Sequence, residues 1–241
     1  MTWSIIAHDE STSQFGIAVA TKFFAVGARV PNILPGVGAI ATQAMVNPFY
    51  GIDGLNLLRS GLAPQAIIDT LTARDPGREH RQVHVVDASG RIAAHTGREC
   101  VDWCGSVKGE NFSIAGNMLA GAQVLDETAE SFRANARLPL PRRLIEALKA
   151  GEAAGGDKRG KQSAALVIYG KEDWSELSLR VDDHTDPLAE LARLEQVSHE
   201  RWVHFRQFLP TRANPGGITD RALIDATVAK ALAEQEAGKN R

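Results

Sequence analysis

Short hydrophobic runs separated by polar residues open the chain, which is a pattern typical of β-strands. Apolar side chains recur through residues 3–8 and 15–21, and a polar stretch at 9–14 separates the two runs. Such a pair of runs predicts an antiparallel hairpin. Residues 36–45 add a strand of small side chains, against which we expect another part of the molecule to pack closely.

The period becomes helical after residue 50. Helices are predicted over residues 51–60 and 64–73, with a break at Gly61 and Pro64 near the start of the second helix. The residues that define this spacing are apolar: Leu55, Leu58, Ile67, Ile68 and Leu71. Residues 121–135 and 141–150 predict two further helices.

Strand patterns lie between and after these two pairs of helices. Residues 82–87 and 91–96 flank a short Ser-Gly turn and predict a hairpin. A single strand follows at 111–119, and 163–169 with 176–181 predict a last hairpin. This order of strands and paired helices predicts an α+β domain in which helices pack on sheets.

The pattern changes again after Asp182. Residues 187–209 predict one long amphipathic helix, residues 210–217 a linker and residues 219–236 a terminal helix. We therefore expect one domain over residues 1–195 and a helical extension over 196–241. The long helix carries an apolar stripe that has no partner in the sequence except the terminal helix, so a homodimer is expected. The stripe consists of Leu188, Leu191, Leu194, Trp202 and Phe205.

Composition narrows the functional classes. The 241 residues are 44% hydrophobic and 23% charged, which is typical of a folded globular chain. A net charge of -2 disfavours nucleic acid as the main partner. No run approaches the ~18 apolar residues of a membrane span, and the first residues lack the pattern of a signal peptide, so a cytoplasmic location and no membrane partner are expected. Two cysteines, Cys100 and Cys104, are too few for a disulfide framework or a zinc site, and no cofactor is expected.

Candidate chemistry begins at Thr2. Because this second residue is small, we expect Met1 to be removed, which leaves a free α-amino group beside the Thr2 hydroxyl at the head of a strand. An α-amine has a pKa of roughly 7.7–8.0 and can act as a base near neutral pH. Lys22 ends the second strand and could support such a nucleophile. Taken alone, each of the two residues is more simply explained as an ordinary strand residue.

Two polar clusters offer other chemistry. Asp182, Asp183 and His184 could bind a divalent metal, although adjacent strand residues point to opposite faces. Asp186 and Pro187 fit the cap and first position of a helix. The loop 157–163 carries glycine and basic residues and could bind an anion through its backbone, or could simply be a basic surface loop.

Eight segments taken together resemble one known family. In chain order they are TWSIIAHD, GIAVATKFFAVGARVP, GVGAIATQAMVNPFYG, DPGREHRQ, GRIAAHTG, GNMLAG, AGGDKRGKQSAAL and RVDDHTDP. They resemble the uncharacterised bacterial family catalogued as domain of unknown function 1028, which is placed among the N-terminal-nucleophile (Ntn) hydrolase-like proteins. The resemblance covers roughly residues 2–195. It implies a four-layer αββα sandwich, with two sheets face to face and helices outside.

The resemblance also implies roles for particular residues. In Ntn hydrolases an N-terminal threonine, serine or cysteine attacks an amide carbon, and its own amine is the base. Thr2 fits that nucleophile, and Lys22 fits the supporting lysine by type and place. Asn117 and the backbone N–H groups near Thr42 and Gln43 are candidate donors to the developing oxyanion. Other polar residues inside the resembling segments are candidate substrate contacts: His80, Arg81, Asp157, Arg159 and Gln162.

Three hypotheses about function follow. The first is a hydrolase that cleaves an amide-type C–N bond in a small polar molecule without a cofactor, using Thr2. The second is a non-catalytic scaffold of the same fold that binds a metabolite or serves as an assembly subunit. The third is a metal-dependent hydrolase that uses Asp182, Asp183 and His184.

Overall fold

Ten strands form two antiparallel sheets in the computed structural model, which describes residues 2–239. The six-stranded sheet has the order β10-β9-β2-β1-β8-β7, and the four-stranded sheet has the order β3-β4-β5-β6. The strands are β1 (Thr2–Asp9), β2 (Gln14–Thr21), β3 (Pro31–Leu34), β4 (Gly38–Ala44), β5 (Arg81–Asp87), β6 (Ile92–Thr96), β7 (Trp103–Gly109), β8 (Phe112–Leu119), β9 (Ser163–Tyr169) and β10 (Ser175–Val181).

Two pairs of helices cover the outer faces of the sheets. The helices α1 (Pro48–Arg59) and α2 (Pro64–Ala73) pack on the four-stranded sheet, where Ile67 joins Ile40 and Val83 in one apolar cluster. The helices α3 (Gln123–Ala134) and α4 (Leu140–Ala153) cover the six-stranded sheet. The four-layer αββα sandwich implied by the family resemblance is therefore confirmed.

The alternation of side chains along β1 assigns them to two layers. Ile6 contributes to the apolar cluster between the sheets, together with Val19 of β2 and Val86 of β5. Trp3 and Ile5 are fully buried on the opposite face, under the helices. Both faces of β1 are covered, so its sequence is almost continuously apolar.

Two strands were not predicted by the sequence pattern. β3 has only four residues, begins with a proline and is partly exposed. β7 lies at the edge of the six-stranded sheet and contains a register shift between Trp103 and Gly105. Short, irregular edge strands bury few side chains, so their sequences lack clear alternation.

The chain divides into two compact units, Met1–Ala192 and Arg193–Arg241. The helix α5 (Pro187–Ser198) runs across this division, and Asp186 caps it by accepting a hydrogen bond from the Ala189 amide at 3.2 Å. This contact confirms Asp186 as a helix cap. The expected domain boundary at residue 195 stays a prediction.

The prediction of one continuous helix over 187–209 is wrong. The Ser198 hydroxyl occupies the Glu195 carbonyl at 2.6 Å, and the His199 amide bonds to Gln196 in a tighter turn that ends α5. A short helix α6 (Trp202–Phe205) and the terminal helix α7 (Arg221–Lys239) follow. Within this unit Phe208 packs against Ile224 and Val228 of α7. No helix among residues 2–239 is both long and apolar enough to cross a membrane.

Candidate functional site

Thr2 opens β1 on the face that meets the other sheet. Trp3, the next residue along β1, pairs with Ala20 of β2. Because the two strands are antiparallel, Thr2 lies beside Thr21, the residue after Ala20. The Thr2 hydroxyl donates a hydrogen bond to Thr21 Oγ1 at 3.1 Å, and Thr2 is only 7% exposed. Thr21 is a site residue that sequence reasoning missed, although the register of the predicted hairpin places it opposite Thr2.

Side-chain amides from two directions hold the main chain of Thr2. Gln43 Nε2 from β4 and Asn117 Nδ2 from β8 each donate to the Thr2 carbonyl at 3.3 Å. Asn117 Nδ2 also donates to Gln82 Oε1 at 3.0 Å, and Gln43 Nε2 donates to the same oxygen at 2.8 Å. The amide hydrogens of Asn117 are therefore both in use, and Asn117 holds Thr2 in place rather than presenting a free donor.

Behind this contact lies a buried chain of polar groups between the sheets. The Ser4 hydroxyl donates to Gln43 Oε1 at 2.7 Å, so His84 Nε2, 2.9 Å from Ser4 Oγ, must be the donor in that pair. His84 Nδ1 then accepts from the Ser113 hydroxyl at 2.9 Å. Burial lowers the pKa of His84 to about 3, which keeps the ring neutral. Sequence reasoning missed Ser4, His84 and Ser113.

A small cavity of about 110 Å³ opens at Thr2. Its wall is mainly apolar, and its polar members other than Thr2 are Arg29 and Gln43. The full lining is Thr2, Phe23, Val26, Arg29, Val30, Gln43, Ala44 and Val46. Phe23 is 59% exposed at this cavity, which leaves an aromatic ring in contact with solvent.

Two alanines at this cavity, and the methionine that follows Asn117 at the end of β8, have left-handed backbone conformations. Ala25 has φ 54°, Ala44 has φ 68° and Met118 has φ 54°. Ala44 lines the cavity itself, Ala25 precedes the lining residue Val26, and Met118 follows Asn117. Each such residue costs of order 1 kcal/mol, and strain of this kind clusters at functional sites.

Lys22 lies just beyond β2 with its ammonium directed elsewhere. Its Nζ donates to the Lys161 carbonyl at 3.3 Å, and its amide donates to Asp157 Oδ2 at 2.8 Å. Lys22 is exposed, whereas its neighbour Thr21 is buried against Thr2. Lys22 was expected to support the nucleophile, but its ammonium contacts the Lys161 carbonyl and not Thr2.

The loop that follows α4 is held by its own residues. Asp157 is 4% exposed and accepts from the Arg159 guanidinium at 3.2 Å as well as from Lys22. The Gln162 amide donates to the Thr21 carbonyl at 2.9 Å, and its side chain donates to Asp183 at 3.0 Å. These groups fix the end of β2 beside Thr2, and their expected role as substrate contacts stays a prediction.

The remaining expected contacts support the loop after β4. The Thr42 amide donates to the Val30 carbonyl at 3.3 Å and is therefore occupied. Arg81 binds the Asp75 carboxylate at 3.1 Å and also donates to the Met45 carbonyl. His80 is exposed, and its carbonyl accepts from the Met45 amide. These bonds hold residues 45–47 at the border of the cavity.

The Asp75 carboxylate accepts several of the hydrogen bonds that hold the loop after β4. Although burial opposes its ionisation, hydrogen bonds from the Gly77 amide and from the side chains of Asn47 and Arg81 lower the pKa of Asp75 to about 2. Asp75 also borders a larger cavity of about 520 Å³ at α1 and α2. None of the residues predicted as catalytic lines that larger cavity.

The metal-binding hypothesis is not supported by the geometry. Asp182 pairs with Arg180 at 2.8 Å, Asp183 accepts from Gln162, and His184 Nδ1 accepts from the Asp186 amide at 2.9 Å. The three side chains thus serve three separate local contacts. Within residues 2–239, no group of three or more His, Cys, Asp or Glu side chains is arranged to hold a metal ion.

The fold and site together define a four-layer αββα sandwich with a buried threonine at the head of a central strand. The chain belongs to the family of unknown function DUF1028, whose family model matches residues 2–191.

Two solved structures are similar to the chain. One is a crystal structure of a Silicibacter pomeroyi protein of the same family, with 34% identity, a TM-score of 0.85 and coverage of 91% of this chain and 96% of that one. The other is Anbu, an ancestral beta-subunit from Yersinia bercovieri, with 11% identity, a TM-score of 0.40 and coverage of 81% and 94%, from which we infer nothing. No curated protein matches the chain.

Proposed function

We propose that the protein hydrolyses an amide-type C–N bond in a small molecule, with Thr2 as an N-terminal nucleophile after removal of Met1. The observation that carries this proposal is the position of Thr2: the residue lines a small cavity at the head of β1, and Gln43 and Asn117 donate hydrogen bonds to its carbonyl. Met1 itself lies outside the described residues.

The proposed reaction needs only groups of this chain and water. The Thr2 Oγ attacks the amide carbon while the Thr2 α-amine takes the hydroxyl proton. The C–N bond then breaks, and the same proton passes to the leaving nitrogen. Water attacks the acyl ester of Thr2, which releases a carboxylic acid and restores the hydroxyl.

Residues around Thr2 act by positioning it. Thr21 Oγ1 accepts from the Thr2 hydroxyl and fixes its rotamer, and the two amides on the Thr2 carbonyl fix the main chain. Holding a nucleophile in a productive geometry is itself worth several kcal/mol of barrier. We assign Lys22 no step, because its ammonium is bound to the Lys161 carbonyl.

Replacement of Thr2 by alanine tests the mechanism. We expect Thr2→Ala to abolish release of ammonia or amine from a panel of small amides, because the attacking oxygen is gone, while the fold loses only about 1 kcal/mol for one hydrogen bond. Thr12→Ala, in the exposed turn of the first hairpin, is the matched control and should keep full activity. Full activity in Thr2→Ala would sink the proposal.

The second hypothesis, a non-catalytic scaffold, makes a different prediction about Met1. Intact-mass measurement on protein purified from its native host should show complete loss of Met1 if Thr2 is the nucleophile. Stoichiometric retention of Met1 would leave no α-amine on Thr2 and would favour the scaffold.

A further inference from the structure

One of the residues that line the cavity at Thr2, Arg29, has no ion-pair partner in the described part of the chain. Arg29 is an exposed residue at the border of the cavity, and its guanidinium makes no hydrogen bond or ion pair with the described residues 2–239. The other arginines near the site are engaged: Arg81 with Asp75, and Arg159 with Asp157. A guanidinium matches a carboxylate through two parallel hydrogen bonds.

The rest of the cavity wall is hydrocarbon. Val26 and Val30 are nearly completely buried, and Val46 and Ala44 continue the apolar surface towards Thr2. The volume of about 110 Å³ equals about four water-sized groups. A short apolar chain fits against this wall, whereas a polar chain would face the valines without hydrogen-bond partners.

We infer that the substrate is the amide of a short aliphatic acid that carries a free carboxylate, with the carboxylate on Arg29, the hydrocarbon against the valines and the amide carbon at Thr2. This inference rests on the proposed function. It narrows the substrate class from small amides in general to monoamides that carry a negative charge. Hydrolysis of such a compound gives ammonia and a dicarboxylate, by the steps described for Thr2.

Three monoamides of increasing length serve as probes: succinamate, glutaramate and adipamate. Each has a neutral diamide with the same carbon chain and the same leaving group, so the members of a pair differ only at one end, where one has a carboxylate and the other a carboxamide. We expect one monoamide of the three to bind Thr2→Ala protein with a dissociation constant of about 1 mM or below. The matching diamide should bind about 10-fold more weakly, because it lacks the charged contact.

Arginine variants connect the preference to the site. Arg29→Gln should remove the preference for the monoamide, so that the monoamide and the diamide bind with similar dissociation constants. Arg59→Gln, on the exposed surface of α1 and away from the cavity, is the control and should keep the preference. Equal binding of monoamide and diamide, an unchanged preference in Arg29→Gln, or no binding by any of the three probes would each overturn the inference.

Binding and turnover separate the two proposals. If the probe binds through Arg29 but wild-type protein releases no ammonia from it, the ligand class stands and the hydrolase proposal fails for that class. If monoamides and neutral diamides are cleaved equally well in a Thr2-dependent way, and Arg29→Gln does not change the ratio of the two rates, the hydrolase stands and the anionic substrate fails.

Discussion

At the scale of single residues, the site is built around the carbonyl of Thr2 as much as around its hydroxyl. Asn117 was expected to stabilise an oxyanion, and instead it donates to the Thr2 carbonyl and to Gln82. The backbone N–H near Gln43 was a candidate oxyanion donor; Gln43 lines the cavity, and its side-chain nitrogen donates to the Thr2 carbonyl. Both side chains determine where the nucleophile lies.

The role of Asn117 can be tested with an isosteric change. Asn117→Asp replaces the donating nitrogen by an oxygen, so the Thr2 carbonyl and Gln82 Oε1 lose a donor and face a carboxylate. We expect turnover to fall at least about 10-fold through kcat, with a smaller change in KM, and unfolding free energy to fall by about 1–3 kcal/mol. Steady-state kinetics well below the unfolding temperature separate the two effects. An unchanged kcat would show that Thr2 does not need this contact.

His84 gives a prediction about acid stability. Its pKa is lowered to about 3 by burial, from an ordinary value of 6.5 in the unfolded chain. Below pH 6.5 the unfolded chain therefore binds a proton that the folded protein excludes. As the pH is lowered from 6.5 towards 3, the free energy of unfolding should fall by about 1.4 kcal/mol for each pH unit. Above pH 6.5 His84 should cause no such loss.

Replacement of His84 by asparagine isolates this effect. Urea unfolding of His84→Asn should show lower stability at pH 7.5, because one of the two serine contacts is lost, but a shallower decline between pH 6.5 and 4. His80→Asn changes an exposed histidine and should decline as the wild type does. A wild-type slope in His84→Asn would contradict the assignment.

The residues that sequence reasoning missed share one physical cause. Gln82 and His84 alternate with valines along β5, and polar residues at every second position normally face water. Here both faces of β5 are covered, and the polar face is satisfied by hydrogen bonds to the other sheet. Such partners are distant in sequence, so no local pattern indicates them.

At the scale of elements, the strands with a clear apolar run were predicted, whereas the short strand β3 and the irregular edge strand β7 were not. The hairpin of β1 and β2 was predicted together with its turn. Its register places Thr2 opposite Thr21, and their hydroxyl groups are hydrogen-bonded. Lys22 was placed on the strand, whereas β2 ends one residue earlier. A shift of one residue at a strand end redirects a side chain, which is why its role could not be read from position alone.

The end of β4 offers a test of stored strain. Ala44 has φ 68°, a conformation that glycine adopts without penalty. We expect Ala44→Gly to raise unfolding free energy by about 0.5–1 kcal/mol, after allowance for the more flexible unfolded chain. Turnover should fall, because the cavity wall becomes less rigid.

Substitution of another alanine of β4 by glycine provides the control. Ala41 is buried in β4 without a positive φ, so Ala41→Gly should destabilise the fold by about 1 kcal/mol or more. Denaturant unfolding compares the two variants directly. Destabilisation by Ala44→Gly of the same size as by Ala41→Gly would show that no strain is stored at residue 44.

At the scale of the whole molecule, the chain lacks the continuous helix over residues 187–209 from which the homodimer was predicted. The apolar stripe after residue 186 is not one continuous surface, since α5 ends at Ser198. Phe205 and Phe208 are packed against α7 within the second unit. On the other hand, Phe23, Phe24 and Phe49 of the first unit are more than half exposed, which is unusual for large apolar side chains.

The homodimer stays a prediction, and light scattering tests it. We expect a mass of twice the chain at micromolar concentration. Truncation after residue 199 should reduce it to one chain if the helical extension contributes to the interface. A monomer mass for the full chain would contradict the prediction, and a dimer that survives truncation would move the interface to the first unit.

The amides that join the two sheets also constrain how this sequence can diverge. In an apolar interface one side chain can become smaller while its neighbour becomes larger, and the total volume is kept. Gln82 instead bonds at once to Gly116, Asn117 and Gln43. No other side chain can replace it without leaving several of these groups unpaired, so changes here must occur together. We expect relatives to vary freely on the outer faces of the sandwich and to change at Gln43, Gln82 and Asn117 only in concert.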